Sequence, residues 1–484
     1  MNKIFKTLPI AVILASSIVS QPLWADTTTD SASLVQRLDD LEQQVAILKR
    51  QIENNKDDAA ANASATPVIT ANAKDGFSIK SPDGNYSLKL GGYTQIVARE
   101  FTDNKKGDLG YASSVIPRRV RLIIQGTVAH DFDYFIQPEF GYANTYSATN
   151  GVVATAPSAY GVALQDAWVD WKHYTEATIK VGKFKTPFDL ENLQDTRYTA
   201  FTELGLTSNL SPQRDLGAQL GGSLFDDVVN YAGGIFDGAA DKENSYGGFA
   251  TAPGDTNEKA GVGRVFVKPF KETNIEALTG LGIGYAVSYG KEKGADLPVY
   301  ISPGQAPVFS YNTGVTAAGP QIRTSPQAYY YYKSLGILAE KVNSEEELEY
   351  KGVGNNYFRD KPTNRAWEVT TSYVLTGEDA SYNGVIPRHD FDLSSGHWGA
   401  LEWVARTGEL KLDSSLFSEN FANLNSSISD EKTWGTGFNW YLNRNVKLGL
   451  DFEQTKFRRG APNGASTEDR KTENLFTGLA QLSF

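Results

Sequence analysis

Residues 434–453 read Trp434-Gly-Thr-Gly-Phe-Asn-Trp-Tyr-Leu442-Asn443-Arg-Asn445-Val446-Lys-Leu-Gly-Leu-Asp-Phe-Glu453, with a period of two. Trp434, Thr436, Phe438, Trp440 and Leu442 share one face, opposed by Gly435, Gly437 and Asn439. Beyond the turn, Val446, Leu448, Leu450 and Phe452 oppose Lys447, Asp451 and Glu453. Alternation at this period is the mark of a strand with one apolar face, and Asn443-Arg-Asn445 supplies turn residues between the two runs. The pattern recurs at 119–128, where Arg119, Arg121, Gln125 and Thr127 share a face with Ile123 and oppose Val120, Leu122, Ile124 and Val128. It recurs at 367–376, where Trp367, Val369, Thr371, Tyr373 and Leu375 oppose Glu368, Thr370 and Ser372, and at the C-terminus, where Phe476, Gly478, Ala480, Leu482 and Phe484 share one parity.

The N-terminus is organised differently. Lys3 and Lys6 precede an apolar run from Leu8 to Val19 that is too short to cross a hydrocarbon core as a helix, and Leu23-Trp-Ala25 follows it as a cleavage site. Residues 1–25 therefore read as a removed signal peptide. Leu34, Leu38, Leu41, Val45, Leu48 and Ile52 then recur at spacings of four and three, a short heptad seam. Polar, Ala-rich residues 54–74 read as a flexible tether, which makes 26–75 a coiled-coil helix with its linker and 76–484 the strand-bearing domain.

Composition narrows the class. The 484 residues contain 45 Gly, 24 Tyr, 24 Phe and 8 Trp, with 40% hydrophobic residues and a mean hydropathy of −0.37. A transmembrane barrel has this appearance, since only alternate strand residues face lipid and aromatics gather at the interfaces. No stretch after the signal is apolar for long enough to cross as a helix, so entry into a membrane requires closed strands. There is no cysteine and there are four histidines, so no metal site, cofactor or catalytic residue is expected, and the chain is not expected to be an enzyme. Aromatics at strand ends, a tight turn at 443–445 and long polar connections at 144–160 and 241–259 fit an outer-membrane barrel. The expected fold is all-β, a transmembrane antiparallel barrel in the outer membrane of a Gram-negative bacterium with its coiled coil in the periplasm. At ~10 residues per strand plus connections, 76–484 divides into about 16 strands, wide enough for a water-filled lumen.

Several stretches resemble the family of phosphate-selective porins O and P. Arg118-Arg-Val-Arg121-Leu-Ile-Ile-Gln-Gly-Thr with Asp131-Phe-Asp-Tyr is similar to that family's second hairpin. Leu164-Gln-Asp-Ala-Trp-Val-Asp-Trp with Val181-Gly-Lys-Phe-Lys-Thr-Pro-Phe188 is similar to the strands entering its constricting third loop, and Asn209-Leu-Ser-Pro-Gln-Arg-Asp-Leu-Gly-Ala-Gln-Leu220 to the strand leaving it. Leu375-Thr-Gly-Glu378, Gly399-Ala-Leu-Glu-Trp-Val-Ala-Arg406 and Gly437-Phe-Asn-Trp-Tyr-Leu-Asn-Arg-Asn-Val446 extend the likeness through most of 76–484. The resemblance implies a 16-stranded homotrimer with one pore per protomer, and it makes the heptad segment intelligible as a trimer clasp.

A pore for anions needs a narrow zone where guanidinium and ammonium groups replace the ion's water. The candidates are Arg118, Arg119 and Arg121, Lys183 and Lys185 at the loop entry, and Arg197 and Arg214 within and after the loop. The resemblance implies that Arg118, Arg119, Lys185 and Arg197 line the constriction, with Asp166 as a carboxylate orienting the cations. Two features oppose strict phosphate selectivity. Nothing reads Arg-x-Arg-x-Arg, and the strand Leu281–Tyr289 offers Gly282, Gly284, Ala286 and Ser288 to the lumen instead of a ladder of arginines. The net charge of −11, less +2 for residues 1–25 and −4 for 26–75, leaves −9 on the barrel. The expected partners are small anions, phosphate first, and outer-membrane lipid, with no nucleic acid. A general porin for mixed or neutral solutes and a tethering barrel working through its coiled coil stand as alternatives.

Overall fold

The structure is a computed structural model. It describes residues 31–484 apart from 73–75, 103–112, 142–143, 150–151, 158–161, 239–258, 295–296, 352–356 and 462–467, so the expected signal peptide lies outside the described residues. Two compact units are present, 1–66 and 67–484.

In the first unit, helix α1 spans Ser31–Ala65. Leu38, Leu41, Val45, Leu48 and Ile52 of the heptad seam are each about half exposed. The helix runs well past the seam because Ala59, Ala60, Ala61, Ala63 and Ala65 are strong helix formers. The tether expected over 54–74 is therefore corrected: it is helical to Ala65, and Val68–Asn72 then pairs antiparallel with Gly76–Lys80. No described helix is long and apolar enough to cross a membrane.

The second unit is a closed barrel of 16 antiparallel strands. They are β1 Ser87–Phe101, β2 Ser114–Val128, β3 Phe132–Glu139, β4 Ala163–Tyr174, β5 Ala177–Lys185, β6 Arg214–Leu224, β7 Val229–Phe236 and β8 Ala260–Val267. There follow β9 Leu281–Gly294, β10 Val315–Tyr332, β11 Leu335–Lys351, β12 Thr363–Val374, β13 Ala400–Lys411, β14 Ile428–Tyr441, β15 Val446–Arg459 and β16 Glu473–Ser483. Each pairs with its sequence neighbour, and β16 returns to β1 from Leu475↔Phe101 to Ser483↔Tyr93. Phe484 completes the seam by exchanging two 3.0 Å backbone hydrogen bonds with Gly92. A Cβ on Gly92 would meet the Arg121 carbonyl at 2.5 Å and the Phe484 ring at 3.1 Å, so the seam requires glycine there.

The alternation expected for β12 and β14–β16 is observed. Trp434, Phe438, Leu450, Phe476, Leu482 and Phe484 are exposed on the outside, while Glu368, Asn439, Asp451 and Glu453 are buried within. The 443–445 turn is closed by Asn443 Oδ1, which accepts from the amides of Asn445 and Val446. One feature departs from the expectation of short connections at this end: β12 and β13 are joined by residues 375–399. Val374, Ala380, Val385, Ala400 and Tyr441 pack together there, so the connection gains apolar burial that a tight turn would not supply.

The lumen is not empty. Residues 186–213, between β5 and β6, run inward and bury Phe188, Leu190, Leu206 and Leu210. Phe188, Leu206 and Leu210 form one apolar cluster with the connections 297–314 and 412–427 and with Phe184, Phe236, Phe309, Leu348, Leu410 and Phe421, while Leu190 packs separately with Phe266 and Leu338. Each such side chain contributes roughly 1.5–3 kcal/mol on burial, so the inward loop is held by packing as well as by the polar contacts below.

Candidate functional site

Sequence alternation alone puts Arg118 and Arg119 on opposite faces. A β-bulge removes that constraint: Gln95 pairs with Arg119 while the next residue, Ile96, pairs with Pro117. Proline has no amide to give to the ladder and is tolerated at bulges, and the extra residue re-aims its neighbour. Both arginines consequently enter the lumen, 5% and 1% exposed.

There they meet the inward loop. Arg118 donates from Nε and Nη2 to the two carboxylate oxygens of Glu203 at 2.7 and 2.9 Å, and Arg119 Nη2 donates to Glu203 Oε2 at 3.0 Å. Arg119 Nη1 also donates to the Thr202 carbonyl at 3.0 Å. Arg121 donates to Glu139 Oε2 at 2.6 Å and to the Tyr93 hydroxyl at 2.8 Å, and that hydroxyl lies 2.6 Å from Thr196 Oγ1. The Tyr93 ring carries two guanidiniums, Arg121 at 5.7 Å and Arg197 at 5.6 Å. Lys185, at the end of β5, donates to the Gln194 carbonyl at 2.6 Å. Arg197 binds Asp195 at 2.7 Å. Burial raises the Asp195 carboxyl, but the Arg197 hydrogen bonds and charge outweigh it and hold the group below the usual carboxylate range.

Five of the candidates, Arg118, Arg119, Arg121, Lys185 and Arg197, thus converge on loop residues 194–203. Arg214 and Asp166 form a buried pair at 3.0 Å, so the carboxylate singled out from sequence binds Arg214, while Glu203 and Glu139 hold the β2 arginines. Lys183 does not join them. Its register opposite Leu216 and Ala167 places it on the face of Ile179 and Val181, which are 44% and 53% exposed on the outside.

The structure adds residues that spacing did not single out. Arg406 bridges Glu191 at 3.5 Å and Glu453 at 2.7 Å and donates to the Glu203 carbonyl at 2.9 Å. Lys447 donates to the Thr199 carbonyl at 3.3 Å. Lys180 lies 4.4 Å over the Trp168 ring, and Arg264 4.6 Å over Phe266, both on the inner wall. Inward parity was a usable signal for Lys447, grouped with Asp451 and Glu453 on the polar face. Nothing in the sequence marked Glu203 among the loop's acidic residues. Gly205 allows the loop to lie against β12, because a Cβ there would fall 1.6 Å from Glu368 Oε2. Beneath the loop, Gln194 Nε2 donates to the Tyr382 carbonyl at 2.8 Å and Tyr382 donates to the Leu190 carbonyl at 2.5 Å, so the 375–399 connection supports it from the turn end.

A family model described as phosphate-selective porin O and P matches residues 88–484, the whole barrel. The chain belongs to this family. Porin O of Pseudomonas aeruginosa is 23% identical over 415 residues, 80% of this chain and 87% of that protein. Among solved structures, the outer membrane channel DcaP of Acinetobacter baumannii superposes with a TM-score of 0.51 at 12% identity, covering 84% of this chain and 99% of that one. The OmpF structure of Salmonella typhi gives 0.49 at 14% identity, covering 83% and 98%. Family and fold together make this chain an outer-membrane porin, a channel rather than an enzyme in kind.

Proposed function

We propose that this porin is a passive channel for small anions, phosphate among them, with a weak preference instead of strict selection. The observation carrying this reading is the convergence of Arg118, Arg119, Arg121, Lys185 and Arg197 on one segment of the inward loop. Guanidinium and ammonium groups gathered in a narrow, partly dry zone favour anions. The preference is weak because Glu203, Glu139 and Asp195 sit in direct contact with these cations, and because β9 presents Gly282, Gly284, Ala286 and Ser288 inward. On the inner face of β3–β8, Phe135, Trp168, Lys180, Gln219 and Arg264 remain half-buried, and Lys180 and Arg264 add cations there.

Reversal potentials under a potassium chloride gradient test this. A modest anion preference is expected, and Arg119→Ala should reduce it. Cation preference, or unchanged selectivity in Arg119→Ala, overturns the assignment. A second reading, phosphate selectivity proper, is favoured by the description of the family model. It requires low concentrations of phosphate to block chloride current, whereas the weakly selective channel passes both.

The assembly is proposed as a homotrimer clasped in the periplasm by α1. In support, Leu38, Leu41, Val45, Leu48 and Ile52 are exposed along one helix stripe, and about three heptads are marginal unless the chains are already brought together. Leu41→Asp with Leu48→Asp should lower the temperature at which trimers dissociate. No change removes the clasp.

A further inference from the structure

The outside of the barrel is uniform in neither charge nor chemistry. At the loop end of β2–β7 its outward positions are Val115, Pro117, Leu164, Leu216 and Ile235, with Lys183, opposite Leu216, as the one cation among the described residues. At the same end of β11–β15 they are basic. Register aligns two neighbouring rows across these five strands. One runs Lys341↔Trp367↔Glu409↔Lys432↔Lys456, and the next, further toward the loops, Asn343↔Arg365↔Lys411↔Asp430↔Arg458. The row below them reads Ala339↔Val369↔Thr407↔Trp434↔Gln454, and under it lie Tyr373, Trp403, Phe438 and Leu450. The outer wall thus passes over a few residues from apolar and aromatic to cationic.

From this juxtaposition we propose that the outward face of β11–β15 at the loop end binds the phosphorylated headgroup of an outer-leaflet glycolipid, whose acyl chains lie on the aromatic surface beneath. Six cations, Lys341, Arg365, Lys411, Lys432, Lys456 and Arg458, face four acidic groups in or beside the two rows. Asp413, just past Lys411, accepts from the Thr363 and Ser415 amides and lies near Arg365. Glu409 is engaged by Lys432 at 3.4 Å and by Trp367 Nε1 at 3.2 Å, and Asp430 by Arg458 at 3.4 Å. Glu345 lies one row further toward the loops on β11, opposite Thr363. Lys341, Lys411 and Lys456 form no ion pair among the described residues. Lys432 and Arg458 are 61% and 66% exposed despite their contacts. From β12 to β15 the patch is about 14 Å wide at the usual strand spacing, room for a sugar headgroup bearing more than one phosphate. A lysine or arginine stem covers apolar wall while its charge stays at the headgroup level, and the loop end is the outer-leaflet side of such barrels. An ordinary lipid-facing wall has no use for this cation excess, because unpaired charge on it is unfavourable unless an anionic headgroup meets it.

The test is a lipid titration of the detergent-purified full chain by native mass spectrometry. The probes are bisphosphorylated lipid A, the same lipid dephosphorylated, and inorganic phosphate as competitor. Each cation near an anionic lipid surface is worth about fivefold in affinity. The combined variant Lys411→Gln, Lys432→Gln, Lys456→Gln, Arg458→Gln should therefore bind bisphosphorylated lipid A at least about twentyfold more weakly. Lys432→Gln with Lys456→Gln alone should lose about fivefold or more, which keeps the test open should the combined variant fail to assemble. Control substitutions at the turn end, Lys172→Gln with Lys268→Gln and Lys271→Gln, should leave binding unchanged. The proposal is overturned by equal binding of the dephosphorylated lipid, by displacement with inorganic phosphate, by equal loss in the control, or by a patch variant that changes subunit number instead of lipid binding.

Discussion

The two halves of the inward loop differ in what chiefly fastens them to the barrel, although Phe188 and Leu190 in the first also accept at their carbonyls, from Gln327 and Tyr382, and Glu203 in the second also binds through its carboxylate. Residues 188–193 are held largely through their amides and acidic side chains. The Leu190 amide donates to both oxygens of Glu340 at 3.0 Å, Asp189 caps the short turn 190–193 by accepting from the Asn192 amide, and Glu191 reaches Arg406. Residues 194–203 are held through their carbonyls, which accept from wall donors: Gln194 from Lys185, Thr196 from Gln95, Thr199 from Lys447, Ala200 from Asn439, Thr202 from Arg119 and Glu203 from Arg406. Where the loop presses against buried wall residues its backbone is shielded from the water of the lumen, so its carbonyls need donors from the protein. The second half obtains them mainly from the cations that would otherwise face a passing anion. Cations that solvate a loop are committed to fixed partners, and this is the physical reason for expecting weak selectivity.

The strongest break in this comparison is Arg406→Met, because Arg406 touches both halves. Removing it strands Glu191 and Glu453 as buried carboxylates, and breaking a buried pair from one side costs about 3–5 kcal/mol. Urea or heat denaturation followed by gel mobility should show a loss of that size, with increased current noise from a loosened loop. Glu203→Gln comes next and bears on the second half alone. The amide oxygen of glutamine still accepts from the arginines while its amide nitrogen cannot, so a smaller loss, about 1.5–3 kcal/mol for one charge-assisted bond, is expected, and the Arg118 and Arg119 charges lose that counter-charge. Anion preference measured by reversal potential should rise. A fall would mean that the two arginines act only as loop supports. Glu340→Gln bears on the first half, and its amide oxygen can still accept from the Leu190 amide. A loss near 1 kcal/mol with unchanged selectivity is expected.

Much of the barrel was legible in the sequence because lipid on one side and polar lumen on the other impose a period of two. Trp434 to Leu442 and Val446 to Phe452 could be assigned to faces by counting. The loop site was less legible, since it depends on departures from that period. Arg118 enters the lumen only through the bulge at Pro117. Lys185 reaches the loop because β5 ends there, whereas Lys183, two residues earlier, keeps the outward parity of Val181. Glu203 and Arg406 lie 203 positions apart, measured between the atoms that bond, and local pattern carries no information about such a contact. The resemblance to a known family singled out residues that the fold gathers on the inward loop, while the partner of each charge came only from the fold.

An exposed ion pair at the turn end sharpens the contrast with the buried ones. Phe225, Asp226 and Asp227 take φ values of 54°, 51° and 70°, a left-handed run in the turn between β6 and β7. Asp227 accepts from Ser223 Oγ at 3.2 Å and pairs with Lys268 and Lys271. Partial burial opposes its ionisation, but the Lys268 contact and the other hydrogen bonds prevail and hold its pKa down to about 2. A carboxylate lowered on folding adds stability above its unfolded value of about 3.9, and that contribution disappears as pH falls through about 2. The side chain is 45% exposed, so screening limits the contribution to below about 1 kcal/mol. Asparagine tolerates the left-handed conformation as aspartate does. Asp227→Asn should therefore lower the unfolding midpoint slightly at pH 7, less so in high salt, and match the parent at pH 2. A deficit that persists at pH 2 would assign the effect to the turn's conformation, and charge would then matter only for the pairs buried around the inward loop.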